Sequence, residues 1–147
     1  MRQAALAIVS ALLLAGCGGG GGSSRLSKSE FDAKANAICD KYQKKIKDVS
    51  QPKNLKEVPG YIDNVLPILR EGTSKLADLK PPTTLQSTFD EWNQVQQDQV
   101  DEADALKKAA NKGDAAEVAR IASEADTKNK HGNELASQLG ATACAQD

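Results

Sequence analysis

Asp98, Asp101, Glu102 and Asp104 place carboxylates at i, i+3 and i+4, a spacing at which side chains on one helix can hold a hard cation. The surrounding residues argue for a solvated face instead. Asp104 and Lys108 form an i,i+4 pair, and no nearby loop supplies the carbonyl ligands that such ions take. The one histidine, His131, stands three residues before Glu134. That reverses the Glu-x-x-His order with which helical bundles hold two irons, and no second histidine completes a set. There is no Cys-x-x-Cys-His for haem attachment and the single methionine is Met1, so haem and copper roles lack ligands. With no second base or nucleophile beside His131, acid–base and covalent catalysis lack their parts. These residues predict a protein that is not an enzyme and takes no metal and no cofactor. The remaining reactive side chains are three cysteines, Cys17, Cys39 and Cys144.

The elements that must position these groups all read as helices. Ser27 and Glu30 form a capping box, with Leu26 and Phe31 at the positions of a hydrophobic staple. Phe31, Ala35, Ile38, Tyr42, Ile46 and Val49 then recur at three and four residues until Pro52 ends the pattern. A second helix is predicted from Pro59, with Val58, Ile62, Val65, Leu69, Leu76 and Leu79 on its apolar side and Pro81-Pro82 as its stop. Pro67 lies inside it and should kink it by freeing the carbonyl of Asp63, and Gly72 weakens the next turn. Two shorter helices are the alternative.

Thr83 and Gln86 read as a second capping box opening a third helix, whose stripe is Leu85, Phe89, Trp92, Val95, Val100, Ala103, Leu106 and Ala110, with Gly113 at its end. Asp114 and Glu117 cap a fourth, with Val118, Ile121, Ala122, Ala125, Leu135, Ala136 and Leu139 inward and Gly140 as its stop. Aromatic residues are 3% of the chain, so Ala, Leu, Ile and Val must build the core, and no stretch alternates like a strand. The predicted fold class is all-α: an antiparallel up-down-up-down four-helix bundle.

Counting heights from the inter-helix loops puts Gln96, Gln99 and Asn129 at one level, all turned towards the core on a 100° wheel, with Pro67 near the same level. These four residues are the candidate lining of a small polar ligand cavity in mid-bundle. The alternative is that the amides satisfy one another or reach solvent at a loose seam.

The N-terminus carries an address. Arg2 precedes an apolar segment from Ala4 to Ala15, about 12 residues, within the roughly 7–15 of a signal peptide and short of the roughly 20 that span a bilayer. With Leu14-Ala15-Gly16-Cys17 at its end, this segment resembles the signal of bacterial lipoproteins. The resemblance implies cleavage after Gly16, acylation of Cys17 by lipid chains such as palmitate, and retention at the extracytoplasmic side of the cell membrane. Two or three chains would anchor stably, each buried methylene contributing ~0.8 kcal/mol. Residues 1–16 are then the signal peptide, 17–25 the lipidated cysteine with its Gly/Ser tether, and 26–147 the helical domain. The tether Gly18 to Ser24 has a root-mean-square span of roughly 15 Å. With Cys17 assigned to lipid, Cys39 and Cys144 are left as one disulfide pair in an oxidising compartment. The alternatives are two free buried thiols or a metal site.

From Leu26 onward the chain also resembles small helical lipoproteins of GC-rich bacteria, a group without an assigned activity. The matching residues are Ser27-Lys28-Ser29-Glu30-Phe31, Ala37-Ile38-Cys39, Leu79-Lys80-Pro81-Pro82, and Leu139-Gly140 followed by Cys144. Without Arg2, 18 of the 19 basic residues face 20 acidic ones, a balance that points away from nucleic acid. The expected function is a non-enzymatic interaction or scaffold module of the cell envelope, its partners being membrane lipid through Cys17 and another envelope protein. The alternative is a carrier or sensor of a small apolar or amphipathic ligand held between helices. Cys17→Ser should leave uncleaved precursor and abolish incorporation of a labelled fatty acid; unchanged labelling would reject the lipidation.

Overall fold

The computed structural model describes residues 24–145; the signal segment, Cys17 and the glycine run lie outside the described residues. The described chain is all-helical, with four α-helices and three 3-10 turns. α1 (Lys28–Lys47) begins where Ser27 and Glu30 complete their box: the Glu30 carboxylate accepts from Ser27 N–H at 2.9 Å and the Ser27 hydroxyl accepts from Glu30 N–H. The Ser27 hydroxyl, donating to Glu30 Oε2 at 2.7 Å, and then the Ser27 N–H hold the Glu30 carboxyl below the ordinary carboxylate range. Lys44, Lys45 and Lys47 close the helix, where cations meet the negative end of its dipole.

α2 (Val58–Ala77) is one continuous helix with Pro67 inside it. The two-helix alternative fails because Pro67 sits on the exposed face, where water can satisfy the freed Asp63 carbonyl. Gly72 is not a weak point but a contact point. A methyl group there would lie 3.1 Å from Tyr42 Cγ, so the missing side chain lets the α1 ring rest on the α2 backbone.

α3 (Gln86–Asn111) does not use Thr83 as a cap. A 3-10 turn over Thr83–Leu85 precedes it, Leu85 N–H bonds the Pro82 carbonyl at 2.9 Å, and no side chain caps the helix. The Gln86 amide instead donates to Asp90. α4 (Ala115–Leu139) starts on Asp114, which accepts from Glu117 N–H at 3.0 Å. It stops at Gly140, whose φ of 80° suits a residue without Cβ. Ala141 N–H returns to the Ala136 carbonyl.

The core has two parts. The larger joins Phe31, Ala35 and Cys39 of α1 to Leu76, Phe89, Trp92, Val95, Leu135 and Leu139, with Phe31 and Phe89 edge to face at 5.6 Å between centroids. Trp92 is wholly enclosed there and its indole N–H has no acceptor, a cost of about 1–3 kcal/mol that burial of so large a ring offsets. The smaller part is Ile62, Leu66 and Val100, from α2 and α3 alone. Arg25 belongs with the domain rather than the tether. Its guanidinium donates to the Pro81 carbonyl at 3.0 Å, and Leu26 N–H bonds the Lys80 carbonyl at 2.8 Å.

Gly72→Ala should destabilise the protein by about 1–3 kcal/mol, because Tyr42 is packed by its Cβ and ring root and has little room to give. Gly60→Ala, where nothing lies within 4 Å, should instead be neutral or stabilise by up to about 1 kcal/mol through helix propensity. Urea denaturation of the two variants checks the opposite signs.

Candidate functional site

Cys39 and Cys144 are joined in a disulfide with Cα atoms 5.2 Å apart, closing a sequence separation of 105 residues. This disposes of the free-thiol and metal alternatives for the pair. After Gly140 the chain turns back along α1 as a 3-10 turn over Thr142–Cys144. The Asn36 amide donates to the Gly140 carbonyl and accepts from Ala143 N–H at 2.7 Å, and the Gln43 amide donates to the Ala143 carbonyl. The tail thus lies between α1 and α4 and contacts both.

Below the tail the helices part. α1 ends at Lys47 and its last turns lean on α2, where Lys45 pairs with Glu71 and, past the helix end, Gln51 reaches Tyr61. α3 and α4 run to 26 and 25 residues against 20 for α1, so their far halves have nothing from α1 over them. The uncovered space is a groove of about 400 Å³ between α2, α3 and α4. Ile62 and Leu69 form one wall, Ala103 and Leu106 the floor, and Ile121, Ala122 and Ala125 the other wall. Ala122 is exposed, and Val118 and Ala125 half-buried, although the helical period alone turns all three inward.

The amides meet the groove at its end nearest the tail. Gln99 Nε2 donates to Asn129 Oδ1 at 3.4 Å and both residues line the groove, but Asn129 is exposed at its edge rather than turned into the core, and Gln96 and Gln99 are half-buried. Gln96 lies behind them, beneath the disulfide with Tyr42 and Leu76. The Gln96 and Gln99 amide nitrogens sit 4.0 and 3.9 Å from where a Gly132 side chain would begin, and Val95 Cγ1 is nearer still at 3.2 Å. Gly132 is what lets α4 approach the amides, and its residue type is the signal that pattern reading passed over. Pro67 does not join them. It is exposed on α2, two residues past the buried Val65, and a step of 200° carries it to the outer face.

The acidic run divides between neighbours. Asp104 pairs with Arg70 of α2 rather than with Lys108, while Asp98 and Glu102 share Lys128 of α4. The Glu102 side chain is 14% exposed and lines the groove, with Lys128 Nζ 2.5 Å from Oε1 and no donor on the buried Oε2. Glu102 beside it raises the Lys128 ammonium above its ordinary value. Asp126 stands on the rim, paired with Lys130. His131 forms an exposed contact with Glu91 at 3.0 Å and is not part of the groove lining. Among the described residues no three His, Cys, Asp or Glu side chains gather as a metal set, and no helix is long and apolar enough to cross a membrane. Comparison with family models, characterised proteins and solved structures finds no match.

Replacing both Cys39 and Cys144 by Ser should cost about 2–5 kcal/mol of stability, as expected for losing a long-loop crosslink. It should also make the chain beyond Gly140 the first site of proteolysis, which limited digestion with mass mapping reads directly.

Proposed function

We propose that this chain is a lipid-anchored lipoprotein of the cell envelope whose helical domain binds a small amphipathic ligand, as carrier or sensor, without catalysing a reaction. The domain is an up-down-up-down antiparallel bundle held through Cys17 at the extracytoplasmic side of the membrane. Cross-helix pairs support the antiparallel order: Asp63 with Lys107 and Arg70 with Asp104 descend one helix as they climb the next, as do Glu91 with His131 and Glu102 with Lys128. A covalent Cys39–Cys144 bond supports an oxidising compartment.

The observation that carries the ligand reading is the concave apolar groove. Its volume of about 400 Å³ falls within the roughly 300–1,000 Å³ of small-molecule sites, which are likewise apolar with a few polar groups. A scaffold surface would be broader and flatter. A second reading as an interaction module has its own support in the far end of α1 and the following loop. There Lys41, Lys44, Lys47, Lys53 and Lys56 are exposed among Asp40, Asp48 and Glu57, a surface with an excess of positive charge suited to an acidic envelope partner.

Native mass spectrometry of the full-length protein released from membranes should show one small molecule bound per chain, absent from Ala125→Trp, which fills the groove. An unliganded wild-type protein, with a defined protein adduct from a photo-crosslinker at Lys47, would replace the carrier reading by the scaffold.

A further inference from the structure

We infer that the groove selects a cationic amphiphile: one apolar body against Ile62, Leu69 and Leu106, and a protonated amine beside Glu102. The inference rests on the carrier reading and adds the charge of the ligand. Two carboxylates, Asp98 and Glu102, share the single ammonium of Lys128, so this side of the groove keeps an excess negative charge. The Glu102 Oε2 is buried without a donor, and Gln99, which also lines the groove, has one amide N–H turned to Asn129. A carboxylate oxygen therefore lies unmatched on a residue that lines the groove, and burying it so is costly. An ammonium group supplies the donor. A carboxylate head would meet Glu102, and Asp126 on the rim, with like charge.

Other occupants fit less well. From Ile62 to Leu69 the wall is about 11 Å long at 1.5 Å per residue, two helical turns, and the enclosed volume of about 400 Å³ lies at the low end of the small-molecule range. The acyl chains of Cys17 number two or three on the lipoprotein reading, and a bilayer covers all of them, whereas the groove covers part of one.

The test uses the full-length protein in nanodiscs of zwitterionic lipid with two photoprobes, dodecylamine and dodecanoic acid, each carrying a diazirine at the same chain carbon. Both enter the bilayer, and the labelled residues are read by peptide mapping. The amine probe should label groove peptides of α2 and α4 about tenfold more than the acid probe, a ratio that one like-charge contact against one opposite-charge contact can supply. Glu102→Gln, which keeps the side-chain shape, should bring the two probes to within about threefold of each other while labelling continues. Equal or preferred labelling by the acid probe would overturn the charge assignment and leave the carrier reading standing. Labelling of the groove by neither probe would overturn both.

Discussion

The architecture depends on the disulfide-held tail that stands between α1 and α4. α3 meets both α2 and α4 along extended contacts, and α1 meets α2, but the α1–α4 side is bridged largely by residues beyond Gly140. Asn36 holds the turn with two bonds and Gln43 holds the far side of it, and Cys39 makes the attachment covalent. Where the tail runs, the large core closes around Phe31, Trp92 and Leu139. Where it stops, α1 has leaned away onto α2 and nothing replaces it. Closure at one end and an opening at the other are thus two results of one wedge.

The amide layer marks the boundary between them. Gln96, Gln99 and Gly132 lie below Val95 and Leu76 of the large core and above Ile62, Leu66 and Val100 of the small one. Continuous apolar packing through this level would merge the two, with Leu or Ile in place of each glutamine contributing roughly 1.5–3 kcal/mol of burial. Polar groups at the level instead favour water or a hydrogen-bonding ligand at the groove's inner end.

Local signals were legible in the sequence wherever the chemistry stays within one turn. Ser27 with Glu30, Asp114 with the Glu117 amide, and the left-handed Gly140 each involve atoms three or four residues apart, and each forms as the pattern predicts. Thr83 and Gln86 carry the same pattern and do not form a cap, because Pro82 accepts the Leu85 N–H in a preceding turn. The level of Gln99 and Asn129 followed from counting, as did the pairing of Cys39 with Cys144. Pro67 went astray because its direction depends on which face of α2 is buried, and Gly72 because its partner is a ring on another helix. The groove was invisible for a broader reason: it arises from the divergence of α1 from α4, and no residue pattern within either helix encodes an angle between them.

The distribution of side-chain size along α3 and α4 bears on whether the opening is incidental. At the tail end their facing positions are Phe89, Trp92, Leu135 and Leu139, all buried; at the open end they are Ala103, Ala122 and Ala125, lining the groove with Leu106 and Ile121. Alanine is the strongest helix former, so propensity alone explains its presence on a helix. It does not explain why alanine collects on the uncovered face while Ile121 and Leu106 remain beside it. Leucine at any one of the three positions would add about three carbons of filling, and each buried methylene stabilises by ~0.8 kcal/mol. A chain selected only for stability has that route to a closed bundle. The large core supplies the stability at one end, and the small residues leave an apolar hollow at the other.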